Sequence, residues 1–190
     1  MSYPTSPEFK AINITSKHSN LVSETVSGKV QVRALGGQKW SFTAKYNPMT
    51  RAEFMPVYAF VTALQGRYGT FTIVPPVISS TRGTATGTVT VNGAHTAGDT
   101  TIAITGLTGT LKAGDFIKFS THDKVYMVTA DLTGSGTLSI EPGIVVTVAS
   151  GSGVTYNSVP FKMRLNNDVQ EYSLSANEYY EYEIDMEEVL

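Results

Sequence analysis

Residues 47–76, NPMTRAEFMPVYAFVTALQGRYGTFTIVPP, hold the one stretch of this chain that reads as a helix, and they run from it into a short strand and a double proline. Thr50 is placed as an N-cap with Glu53 three residues on, a spacing that lets each side chain accept a backbone N–H of the first turn. Met49 and Phe54 occupy the two positions of a hydrophobic staple. Phe54, Val57, Tyr58, Val61 and Leu64 then fall on one helical face, and Gly66 is the expected stop. Pro56 has no N–H and crowds the carbonyl of Ala52, which predicts a distorted first turn or a helix beginning at Pro56. Thr70 to Val74 is β-branched and aromatic, a strand stopped by Pro75 and Pro76 because neither can donate to a ladder.

On either side of this segment the pattern is β. Residues 26–34 alternate, Val26, Gly28, Val30, Val32 and Ala34 against Lys29, Gln31 and Arg33, and read as a half-buried strand. Gly36-Gly37 reads as a hairpin turn, after which Trp40, Phe42, Ala44 and Tyr46 face in and Lys39, Ser41, Thr43 and Lys45 face out. Trp40 on that apolar side reads as core. From about Ser79 to Ser158 the texture changes to short strands divided by Gly and Thr turns, the spacing of a small barrel or sandwich. Ala97-Gly98-Asp99 and Ala113-Gly114-Asp115 repeat a turn ahead of two of those strands, which reads as shared turn chemistry and not as duplication. The last segment alternates again, Tyr180, Tyr182, Ile184 and Met186 against Glu181, Glu183, Asp185 and Glu187. Its acidic outer face complements the basic outer faces carrying Lys29, Arg33, Lys39 and Lys45, and opposite charges across strands stabilise a sheet by ~0.2–1 kcal/mol per pair. Pairing the head with the tail in one sheet makes the first domain discontinuous, residues 1–80 with 158–190, and leaves residues 81–157 as an inserted small β-barrel.

Composition narrows the function. Only 16% of the 190 residues are charged, against about 25% in an average globular chain, and 41% are hydrophobic. A net charge of -2 offers no field for phosphates to follow, which argues against nucleic-acid specificity. With no cysteine, disulfides and thiolate metal sites are excluded. The opening MSYPTSPEFK has neither a basic n-region nor an apolar h-region, and no run approaches the ~18 apolar residues of a span, so neither a secretion signal nor membrane insertion is expected.

No catalytic constellation is legible. His18, His95 and His122 lie far apart, without a second ligand at metal spacing, and read as surface histidines. The carboxylates of residues 178–188 alternate along a strand instead of converging from a loop as calcium ligands do. There is no nucleophile elbow, P-loop or dinucleotide fingerprint. Tyr179 and Tyr180 are adjacent and must face opposite ways, so one of the two is expected at the surface, where an interface would use it.

The order of strand, aromatic-ended strand, helix with an aromatic pair, Gly, short Phe strand and proline bend resembles the N-terminal domain of tail-tip proteins of long-tailed phages. These are the distal tail proteins and the related lambdoid minor tail proteins. The resemblance runs through Val30-Gln31-Val32-Arg33, Trp40-Ser41-Phe42, Thr50-Arg51-Ala52-Glu53-Phe54, Tyr58-Ala59-Phe60, Gly69-Thr70-Phe71 and Pro75-Pro76, and resumes at Pro160 to Leu165 and Glu181 to Met186, about half the chain. It implies a mainly β fold, a β-sandwich or split barrel with one flanking helix, and an inserted small barrel of the oligonucleotide/oligosaccharide-binding (OB) type. It also implies a structural virion protein made in the host cytoplasm: a hexameric ring at the baseplate hub, linking the tail tube protein to hub and tip proteins. No enzyme activity, cofactor or metal is implied. Arg33, Lys45, Tyr179, Tyr180, Glu181 and Glu183 are then the expected assembly contacts. The alternative is a carbohydrate-binding module in which Tyr126 or Tyr156 stacks on host surface glycans. A cell-wall hydrolase would need an acid pair or metal site that the sequence does not supply.

Overall fold

The computed structural model describes all 190 residues and is mainly β. The chain opens with two long strands, β1 (Phe9–Glu24) and β2 (Val30–Tyr46), followed by the helix α1 (Arg51–Ala63), a single 3-10 turn (Gly66–Tyr68) and β3 (Thr70–Ile73). Eight short strands come next: β4 (Thr90–Val91), β5 (Thr101–Thr105), β6 (Thr110–Leu111), β7 (Phe116–Phe119), β8 (Val125–Val128), β9 (Leu132–Thr133), β10 (Gly136–Glu141) and β11 (Val154–Thr155). The chain closes with β12 (Phe161–Leu165), β13 (Tyr172–Leu174) and β14 (Tyr180–Glu188). By contacts it divides into two compact units, Met1–Phe71 with Met163–Val189, and Thr72–Lys162.

The first unit is organised by a sheet of order β1-β2-β14-β12-β3, with β13 attached to β14. Head and tail pair directly, Lys45 opposite Glu183 and Phe42 opposite Met186. The alternation of the sequence is realised here: Trp40, Phe42, Ala44 and Tyr46 are buried, as are Tyr180, Tyr182, Ile184 and Met186. The helix starts at Arg51, where the Glu53 carboxylate accepts the Thr50 backbone N–H at 2.9 Å and its hydroxyl at 2.8 Å. Pro56 therefore neither delays nor shortens α1; it sits inside it. The helix buries Phe54, Val57 and Val61, and Leu64 is buried at its C-cap, each such burial contributing about 1.5–3 kcal/mol. The Phe54 ring stacks 4.8 Å from Tyr180 and lies 4.9 Å from Tyr172, so α1 is seated on the β13–β14 hairpin by an aromatic cluster. A left-handed Gln65 breaks the helix one residue ahead of the expected Gly66.

The hairpin of the N-terminal region differs from the reading of residues 26–34. Its turn is Thr25–Lys29, and β2 runs on through Gly36-Gly37 to pair with β1, not with residues 26–34. The two glycines, at φ 75° and 72°, sit at a β-bulge where the register shifts around Ser19 instead of at a turn. Two left-handed residues fit a type I′ turn or a bulge equally well, and the sixteen-residue strand before them decides for the bulge. Val30, Val32 and Leu35 are consequently exposed, not half-buried.

In the second unit the strand order is β11-β7-β8-β10-β5-β4, and the sheet comes round on itself. The Val154 N–H donates to the Val89 carbonyl at 2.9 Å and the Val91 N–H to Ser152 at 2.9 Å, joining the two edges. Ile102, Ile104, Leu111, Ile117, Phe119, Val128, Leu138 and Ile140 fill the interior. The two Ala-Gly-Asp turns are the same device built twice. Asp99 accepts the N–H of Thr96 and Asp115 that of Lys112, both at 2.9 Å, with Gly98 and Gly114 at φ 98° and 93°.

Candidate functional site

No three His, Asp or Glu side chains are grouped to hold a metal ion. His95 accepts the Ala103 N–H at 3.1 Å and belongs to a barrel turn. The His122 ring lies 6.0 Å from that of Phe119, tilted to it by 37°, and meets the Tyr126 hydroxyl at 2.6 Å. That hydroxyl accepts the Val145 N–H at 3.1 Å, and the other ring nitrogen of His122, Nδ1, lies 2.8 Å from the Thr121 hydroxyl. Burial, and then the nearby Lys118, hold the His122 pKa below its ordinary value.

What the molecule does offer is surface, and the two expected groups of contact residues fare differently. Tyr126 is fully buried, 0% exposed, which removes it as a glycan contact: strand alternation placed it on the barrel's inner face. Tyr156 is packed partly against the same core and donates its hydroxyl to the Gly87 carbonyl at 2.7 Å. Neither ring stands free as a stacking platform for a sugar. Of the tyrosine pair, Tyr179 is 46% exposed while Tyr180 is 9% exposed and lies in the aromatic cluster under α1, so only the first faces outward.

The remaining candidates lie on two faces of the first unit. Arg33 projects from the far part of the β1–β2 hairpin. There residues 15–37 are exposed without exception, forming a two-stranded arm that extends roughly 30 Å beyond the sheet. Val22 sits directly across from Val32, with Ala34 and Val30 on the same face, and Leu21 lies opposite Arg33 on the other. Val22 and Val32 are 61% and 64% exposed. An isolated two-stranded ribbon is marginal in water, and one with an uncovered apolar stripe is more so.

The second face is a groove of about 550 Å³ lined by Lys10, Lys45, Tyr172, Glu171, Glu181 and Glu183 among others, with Tyr46 and Tyr182 at its base. Glu183 pairs with Lys45 at 2.8 Å, which raises the lysine pKa. Beneath it Tyr3 and Tyr46 share a hydrogen bond of 2.9 Å; burial pushes Tyr46 up to about 12 and drives Tyr3 and Tyr182 higher still. The arm and Tyr172 were not singled out from sequence. The available signal was the absence of any Gly or Pro between Lys10 and Glu24, followed by the turn residues Thr25, Ser27 and Gly28.

Residues 78–159 match the family model described as distal tail protein pb9, B domain. Over 168 residues the chain is 27% identical to distal tail protein pb9 of Escherichia phage T5, an alignment that covers 84% of this chain and 80% of that protein.

Proposed function

We propose that the chain is a phage distal tail protein, as its likeness to pb9 supports, and that it forms a ring at the end of the tail, joining the tail tube to the host-contacting tip. Its role is structural and its place is the virion tail. The ring is a hexamer, its immediate neighbours are the tail tube protein and the hub or tip proteins, and it performs no catalysis. Residues 1–80 with 158–190 make the ring-forming domain, and residues 81–157 are a barrel inserted into it.

One observation carries the ring: the exposed arm of residues 15–37, with the Val22, Val30, Val32 and Ala34 stripe lying bare. A ribbon of that length stabilises nothing in the chain that bears it, since none of its residues is buried there. Covered by a neighbour, each valine leaves water and contributes about 1.5–3 kcal/mol. Imaging of isolated tails by electron microscopy tests the reading. A ring of this chain at the junction of tube and tip is expected; tails lacking the chain, or holding it as a single copy, would refute it.

A further inference from the structure

Charge is unevenly shared between the two faces of the first unit. The arm carries Lys17, Lys29 and Arg33 against the single carboxylate Glu24, and none of the three cations has an ion-pair partner. The segment 166–190 has no lysine or arginine at all. Its exposed Glu171, Glu178 and Glu181 are likewise unpaired. Glu171 and Glu183 line both the 550 Å³ groove and an adjoining cavity of about 620 Å³ that adds Asp168 and Asp185, so the two make one acidic trough. Lys10, Lys45 and Arg67 also line it. Lys45 is already neutralised by Glu183, and Arg67 is turned to the Asn166 carbonyl at 2.7 Å. Tyr172, Leu174 and Tyr179 expose apolar surface along the same hairpin. Both faces are therefore half apolar and half charged, with opposite sign.

The arm cannot reach the trough of its own chain. Lys10, at the start of β1, lines the groove, whereas Glu24 at the other end of the same strand is the tip, some 14 residues or ~45 Å away along an extended backbone. We propose that the arm of one copy seats in the Glu171–Glu181 trough of the next by the face that carries Lys17, Leu21, Lys29 and Arg33, the three cations meeting its carboxylates. Such a contact is head-to-tail: two different patches meet, and repetition gives a ring when the rotation from copy to copy closes. The inference rests on the ring reading and supplies its joint.

The absence of any cysteine makes the joint directly testable. In assembled tails, a Gln31→Cys/Ser173→Cys chain treated with a short bis-maleimide is expected to give a ladder of covalent multimers. Chains with only one of the two cysteines should give at most dimers. Reversing the arm (Lys17→Glu, Lys29→Glu, Arg33→Glu) or the trough (Glu171→Lys, Glu181→Lys) should each lower incorporation into tails by at least ~10-fold, and combining both reversals in one chain should restore it. A ring in the tails with no ladder from Gln31→Cys/Ser173→Cys or from Ser23→Cys/Ser173→Cys overturns the joint and leaves the ring standing. Tails without a ring overturn both.

Discussion

The two compact units solve the problem of sheet edges in opposite ways. In Thr72–Lys162 the sheet closes on itself, so its backbone groups are spent internally and its apolar residues face a filled interior. In the unit of Met1–Phe71 and Met163–Val189 the sheet stays open, and its outermost pair runs past the core as a bare ribbon. A closed barrel can meet a neighbour only through loops, whereas an open sheet with an arm keeps both apolar surface and hydrogen-bonding edge for assembly.

Cutting the arm should break that contrast most severely. Lys17 lies directly across from Lys39, so replacing residues 18–38 by Asn-Gly closes the hairpin with a two-residue turn. We expect incorporation into tails to be abolished while the thermal melt of the isolated chain stays close to wild type, because only Gln38 among the deleted residues is buried. A melt lowered as much as that of a core variant would show that the arm stabilises its own unit instead.

The next largest effect separates the units from each other. Trp40 is the chain's only tryptophan and is buried in the first unit, so its fluorescence reports that unit alone. Phe54→Ala removes the ring that holds α1 to Tyr172 and Tyr180, at a cost of about 3–5 kcal/mol, and should move the tryptophan transition. Leu138→Ala, in the barrel interior, costs a comparable ~2–5 kcal/mol and should move only the circular dichroism of the second unit. Coincident shifts of both probes in both variants would merge the two units into one.

How much of this was legible beforehand depended on range. The helix from its capping pair, the inward faces of residues 40–46 and 180–186 and the mainly β class follow from periods of a few residues, which local chemistry enforces. The paired Asp turns at Thr96 and Lys112 were legible for the same reason. The arm was not: residues 26–34 alternate like a half-buried strand, and nothing within nine residues tells whether a core exists to receive the apolar side. Strand pairing between residues 9–24 and 30–46 is set by a turn outside that window. Tyr126 failed as a surface candidate similarly, since which face of a short barrel strand turns inward is decided by the closure of the whole sheet.

Titration should pull the two units apart in opposite directions, by less than the core substitutions. In the first, Tyr3, Tyr46 and Tyr182 are held protonated by burial above the ordinary 10.0. The folded state keeps protons that the unfolded chain releases, so their contribution is whole below pH 10.0 and is lost as pH rises beyond it. Trp40 fluorescence in alkali should follow this loss. In the second, His122 is held neutral, so the unfolded chain binds its proton first as pH falls through 6.5. Stability of its loop is whole above that value and declines below it, because burial, and then the nearby Lys118, disfavour the charged ring. Faster amide exchange at Val145 on mild acidification is the expected sign. Exchange unchanged between pH 7 and 5 would show that protonation of His122 does not weaken this contact.

The smallest effect tests whether charge pairing holds β14 in its sheet. Arg164 stands directly across from Glu187 and donates to its carboxylate through Nε at 3.0 Å and Nη2 at 2.9 Å. The pair is partly open to water, so solvent screens it, and Arg164→Gln should lower stability by only ~0.2–1 kcal/mol, less at high salt. The register of β12 against β14 should survive, because Met163 and Leu165 are buried on the other face of the strand and a one-residue slip would expose both. A loss of several times that size, insensitive to salt, would mean that the charges and not the apolar faces set the pairing. The sheet's open edge would then owe its order to the acidic strand rather than to its core.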